Sequence, residues 1–165
     1  GADLANLKPA FATTMSLRPA WSPNNLLAVS AAGKFTNQIF VEGKPISPAG
    51  LLATAVSFCR NPNGIRAVYV ASAGNSEHLV TTGEKGGGAL RLTSGAGQNN
   101  YPACSPDGRL VAFFSTRKTG KGPGLYVMRL DGMRPKRIST LVGESLSWGR
   151  LPAGKRAAVP AFDKK

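Results

Sequence analysis

Two cysteines, one histidine and eight carboxylates leave this 165-residue chain little material for catalysis or metal binding. Cys59 and Cys104 are far apart in sequence and form no CxxC pair, which removes the usual zinc-ribbon and thioredoxin patterns. Each precedes a tight turn in its own repeat, so the expectation is two buried free thiols rather than a bridge. The lone His78 follows Ser76 and Glu77, but neighbours along a strand point to opposite faces, and GNSEH lacks the second glycine of GxSxG. A surface or strand-edge histidine is expected, not a catalytic one. The carboxylates are scattered without a calcium-loop pattern, so neither metal nor cofactor is expected. Apolar runs long enough to cross a bilayer, about 18 residues, are also missing.

Acidic residues are scarce relative to basic ones. Lys and Arg total 21 against 8 Asp and Glu, a net charge of +13. Such a balance favours acidic partners. The positive residues are dispersed, no aromatic ladder accompanies them, and no RNA-binding signature is present, so no dedicated nucleic-acid site is expected.

Turn residues, by contrast, are abundant: 20 Gly and 12 Pro. Pro23-Asn24-Asn25, Pro62-Asn63-Gly64, Pro106-Asp107-Gly108 and Pro152-Ala153-Gly154 recur, with the prolines 39, 44 and 46 residues apart. Proline presets φ for the first central turn position, and Asn or Gly follows where the backbone needs room. Each turn is followed by a short apolar run: LLAVS, IRAVYVAS, RLVAFFS and KRAAV. Short strands repeating every 40–45 residues or so are the pattern of a β-propeller blade.

The strand expectations are 17–21, 26–31 and 37–42 in the first repeat, closed by Gly43-Lys44-Pro45. The second repeat places strands at 52–59, 65–71, 77–82 and 89–93, with Gly86-Gly87-Gly88 as a hairpin loop and not a phosphate cradle. The third places them at 101–104, 109–115, 125–130 and 136–140, with Asp107 and Asp131 capping turns. A fourth repeat opens at Ser145 and supplies a strand over 156–162. Trp21 and Trp148 hold matching places before their turns, which points to packing between blades. The organisation is therefore an N-terminal extended segment, 1–15, and repeats over 16–50, 51–98, 99–143 and 144–165. The fold class is all-β: a propeller of four-stranded antiparallel blades, about three full blades plus a hairpin. Residues 8–14 are a candidate outer strand for the last hairpin, which would close a four-bladed ring; the other arrangement is part of a six-bladed ring.

The third repeat resembles a TolB-type propeller blade. Pro102, Ser105-Pro106-Asp107-Gly108, Ser115-Thr116-Arg117, Leu125-Tyr126-Val127-Met128, Asp131-Gly132 and Arg137-Ile138-Ser139 carry the likeness. Pro19-Ala20-Trp21-Ser22-Pro23 and Ile39-Phe40-Val41 carry it in the first repeat. The resemblance implies a periplasmic, non-enzymatic propeller of the Tol–Pal cell-envelope system that binds the lipoprotein Pal, with other Tol proteins as further partners. It also implies that the linkers between blades face the partner, which selects Thr93, Gly95, Gln98, Asn99 and Glu144. A different class of function follows from the charge: a basic structural subunit of a larger assembly, completed by another chain across an open edge strand. Blades of this type also occur in propellers attached to serine peptidases, and no hydrolase segment is present in the sequence.

Overall fold

The computed structural model describes residues 16–95 and 97–149. It contains twelve strands among them, arranged as three antiparallel four-stranded sheets. The first sheet runs in the order β1 (Ser16–Trp21), β2 (Leu27–Ala32), β3 (Asn37–Val41) and β4 (Lys44–Pro45). The second holds β5 (Leu52–Asn61), β6 (Gly64–Ala73), β7 (Ser76–Gly83) and β8 (Leu90–Arg91). The third holds β9 (Asn99–Cys104), β10 (Leu110–Ser115), β11 (Gly124–Arg129) and β12 (Lys136–Ser139). Every sheet is an up-and-down meander, so chain order and spatial order coincide. The candidate strands at 8–14 and 156–162 and the turn at Pro152 lie outside the described residues.

The repeated turns make these meanders. Ser22 Oγ accepts from the amides of Asn24 and Leu26, and Ser105 Oγ accepts from the Leu110 amide in the equivalent turn. Asp107 Oδ1 accepts from the Arg109 amide and the Ser105 hydroxyl, and Asp131 Oδ1 accepts from the Met133 amide. Both aspartates therefore cap turns. The Ser105 hydrogen bond is also the main reason the Asp107 carboxyl sits below its ordinary pKa. Gly86, Gly87 and Gly88 all have positive φ in the loop from β7 to β8.

The first strands lie side by side, with β5 between β1 and β9, while the fourth strands pack chiefly within their own sheets. The sheets thus fan outward from their first strands, as blades do. Two apolar layers fill the spaces between them. Ala28, Ile39 and Val41 of the first blade meet Ala67, Tyr69 and Ala71 of the second. Val68, Val70 and Leu79 of the second meet Val111, Phe113, Tyr126 and Met128 of the third. The alternation along β6 explains why IRAVYVA is apolar at every position but one: both of its faces are covered. Each of the larger side chains contributes on the order of 1.5–3 kcal/mol by leaving water.

One left-handed residue interrupts each first strand: Arg18 (φ 53°), Ala55 (φ 49°) and Tyr101 (φ 55°). The strand pairing shifts beside each of them. A bulge of this kind bends the strand and reverses which face its later side chains occupy. In β5, Ala53 and Val56 both face the first blade although they are three residues apart.

Three expectations need correction. Cys59 and Cys104 are joined by a disulfide, with Cα atoms 5.1 Å apart. The inner strands of neighbouring blades approach much more closely than their outer strands, and both cysteines sit on inner strands. Trp21 is 67% exposed and so does not serve as packing between blades, whereas the Trp148 indole N–H donates to the Ala103 carbonyl at 2.9 Å. His78 is buried, because β7 is an interior strand with β6 and β8 on either side.

Candidate functional site

In an up-and-down sheet, the segment that leaves the fourth strand and enters the next blade returns to the edge where the first strand begins. The linkers after β8 and β12 therefore share that edge with the loops from β2 to β3, β6 to β7 and β10 to β11. This is the linker rim. The Pro-centred turns and the loops into the fourth strands occupy the opposite, turn rim.

The linker from Thr93 to Asn99 is fixed by side chains from two blades. Thr93 is buried, and its Oγ1 accepts from the Leu79 amide at 2.9 Å. Asn99 is also buried; its Nδ2 donates to the Glu77 carbonyl at 2.8 Å, and its Oδ1 accepts from Ser115 Oγ and Arg117 Nη2. The Arg117 guanidinium lies 4.3 Å from the Tyr126 ring centre and also donates to Ser115 Oγ. Burial lowers its pKa from the ordinary arginine value, with the Tyr126 hydroxyl opposing that shift. Gln98 is exposed, but its backbone exchanges bonds with Thr116: its amide donates to the hydroxyl and its carbonyl accepts from the amide, both at 2.9 Å. Gly95 is exposed with φ +84° and open space around the position a Cβ would take.

Glu144 belongs to the next linker and is exposed. Its carbonyl accepts from Arg18 Nη1 at 2.9 Å, and the Arg18 guanidinium lies 4.2 Å from the Tyr101 ring centre. Tyr101 is two residues beyond Asn99. Arg18 and Tyr101 therefore connect the two linkers through a hydrogen bond and a cation–π contact. Together with Ala55, Val56, Ser145 and Leu146 they line a small cavity of about 130 Å³ where the inner strands converge.

Of the five expected site residues, the fold thus separates two groups. Thr93 and Asn99 spend their side chains inside the protein and set the linker's path. Gly95, Gln98 and Glu144 face solvent. Arg18 and Tyr101 were not among the expected residues. The one sequence feature they share is the Pro-Ala pair that follows each, Pro19-Ala20 and Pro102-Ala103, at the same place in the blade. Among the described residues no three His, Cys, Asp or Glu side chains are grouped to hold a metal ion, and no helix is long and apolar enough to cross a membrane.

The overall arrangement of the blades has counterparts among solved proteins. A putative TolB from Agrobacterium tumefaciens superposes with a TM-score of 0.63 at 24% identity, over 78% of this chain and 48% of that one. TolB from Acinetobacter baumannii superposes at 0.60 with 23% identity, over 74% of this chain and 32% of the other. The chain has a TolB-like β-propeller fold. Sequence comparison reaches the same fold from another direction. The Tol-Pal system protein TolB of Zymomonas mobilis is 35% identical over 79 residues, and TolB 1 of Novosphingobium aromaticivorans is 36% identical over 67. An uncharacterized peptidase of Bacillus subtilis, YuxL, is 35% identical over 86 residues. No protein-family model matches the chain. These alignments take in 13–17% of the curated relatives' lengths and 40–48% of this chain. The TolB-like region described here amounts to three blades, and its likeness to the peptidase is partial.

Proposed function

We propose that this TolB-like propeller is a non-enzymatic docking platform of a Tol–Pal type envelope complex. It holds a Pal-like lipoprotein on the linker rim. The observation that carries this reading is the hydrogen-bonded anchoring of that rim. Thr93 and Asn99 anchor one linker from within, Thr116 clamps the backbone of Gln98, and Arg18 holds the carbonyl of Glu144. A preformed rim loses little conformational freedom when a partner docks. Gly95 leaves room for close approach of a partner backbone, while the side chains of Gln98 and Glu144 are free to make polar contacts.

The TolB-named relatives support the choice of partner, and the Cys59–Cys104 disulfide supports an oxidising compartment such as the periplasm. No bond-breaking step is assigned to the chain. The test is binding of a purified Pal lipoprotein to the wild type and to Gly95→Glu, Gln98→Glu and Glu144→Arg variants. Folding of each variant is checked by its thermal transition. The proposal expects affinity to fall roughly tenfold or more for variants that fold normally, the loss of one or two interface contacts. Unchanged affinity in all three would overturn the assignment of this rim.

A further inference from the structure

The turn rim, on the opposite side from the linkers, carries a groove of about 850 Å³ between the second and third blades. Its second-blade wall includes Asn63, Arg66 and Leu90, and its third-blade wall includes Arg109, Leu130 and Asp131. Three guanidinium groups line it, because Arg129 stands beside Asp131.

The charges in the groove are unevenly matched. Asp131 Oδ2 accepts from Arg129 Nε at 3.0 Å, so these two compensate one another. The Asp107 carboxylate is taken up by its own turn, through the Ser105 hydroxyl and the Arg109 amide. Arg66 has no carboxylate partner among the described residues, and Arg109 feels the charge of the nearby Asp107 without forming a salt bridge to it. Arg66 is nevertheless held in place: its Nε donates to Thr81 Oγ1 at 3.3 Å and its Nη2 to the Gly88 carbonyl at 2.6 Å. Its cation is fixed by neutral acceptors, with no anion to neutralise it. Arg109 is exposed on the facing wall. Leu90 is 51% exposed and supplies aliphatic surface beside these cations.

We propose that this groove binds an acidic peptide segment of a partner protein. Arg66 and Arg109 take the peptide's carboxylates, and Leu90 and Leu130 receive its aliphatic side chains. Charge complementarity identifies the ligand: a positioned, unneutralised guanidinium is suited to forked binding of a carboxylate. The lining favours peptide over nucleic acid, since no aromatic ring among the lining residues offers a platform for stacked bases. This site is separate from the linker rim, and its substitutions leave the residues proposed to dock the lipoprotein untouched.

The test uses the full chain and a fluorescein-labelled peptide of three Glu-Leu repeats, read by fluorescence anisotropy near physiological salt. Because the chain carries a net charge of +13, the charge reversal in the groove is compared with an equal reversal elsewhere. Arg109→Glu is set against Lys34→Glu in the exposed β2–β3 loop, and Arg66→Gln supplies a second variant within the groove. The proposal expects Arg109→Glu and Arg66→Gln each to weaken binding about tenfold or more, the loss of one charge-assisted contact. Lys34→Glu should change it by less than about twofold, as expected of a distant screened charge. Equal weakening by Arg109→Glu and Lys34→Glu would overturn the proposal, since it would mean diffuse attraction to a basic surface. Displacement of the peptide by oligothymidylate at lower concentration than by unlabelled peptide would also overturn it, by making nucleic acid the better occupant.

Discussion

Replacing Cys59 and Cys104 together by alanine should cost this fold a large part of its stability. The disulfide joins residues 45 apart and ties the end of β5 to the end of β9. Restricting an unfolded chain across a loop of that length is worth about 4 kcal/mol on the chain-entropy relation, and native bridges typically contribute roughly 2–4 kcal/mol. Packing adds to this, because Cys59 is fully buried within the layer between the second and third blades. For a chain of this size each kcal/mol moves the thermal midpoint by about 2–4 °C, so the double variant should melt roughly 5–15 °C lower. The assay is thermal denaturation by circular dichroism, with intact mass and thiol titration establishing the oxidation state of the wild type. Wild type treated with reductant should move toward the double variant. Two titratable thiols in the denatured, unreduced wild type would refute the reasoning, as would a midpoint that the substitutions leave in place.

Gly108 has φ +68°, and a Cβ there would run into the backbone of Arg60 on the neighbouring blade. Gly108→Ala should therefore destabilise by more than the roughly 1 kcal/mol of left-handed backbone strain alone, and urea unfolding checks it against Gly43→Ala, where the Cβ position is open. His78 responds to acid. Burial first, and the positive charge of Arg91 second, lower its pKa in the folded chain. The unfolded chain therefore takes up the proton at a higher pH than the folded one. The associated stability is fully present above the ordinary histidine value near about 6.5 and is lost as pH falls from there toward the lowered value. The thermal midpoint should fall on acidification across that window, and His78→Gln should flatten that part of the profile; an unchanged profile would rule out this role.

Much of the blade was written in local sequence. Ser105-Pro106-Asp107-Gly108 carries the side-chain acceptors of its own turn, and the near-continuous apolar run of IRAVYVA fits a strand with two covered faces. What escaped local reading depends on how blades approach one another. Cys59 and Cys104 sit on inner strands whose separation is set by the fan of the sheets, a quantity that strand periodicity does not encode. Trp21 occupies a repeated position yet remains exposed, while Trp148 at the matching place finds the Ala103 carbonyl. The two-residue strand β4 is too short to leave a periodic trace, whereas β8 falls within the strand expected at 89–93. For the candidate site, Gln98 and Glu144 are exposed as their polarity suggests, whereas Thr93 and Asn99 are buried. Their partners are the Leu79 amide and the Glu77 carbonyl, supplied by a strand many residues earlier. A polar side chain in a linker looks the same in sequence whether it faces a partner or anchors the linker from beneath.

The most direct measurement of the central claim is the hydrogen-exchange footprint of a Pal lipoprotein on this chain. The account predicts added protection at 93–99 and 140–146 on the linker rim, with the turns around Pro62 and Pro106 unchanged. Protection confined to those turns, or none at saturating partner, would contradict it.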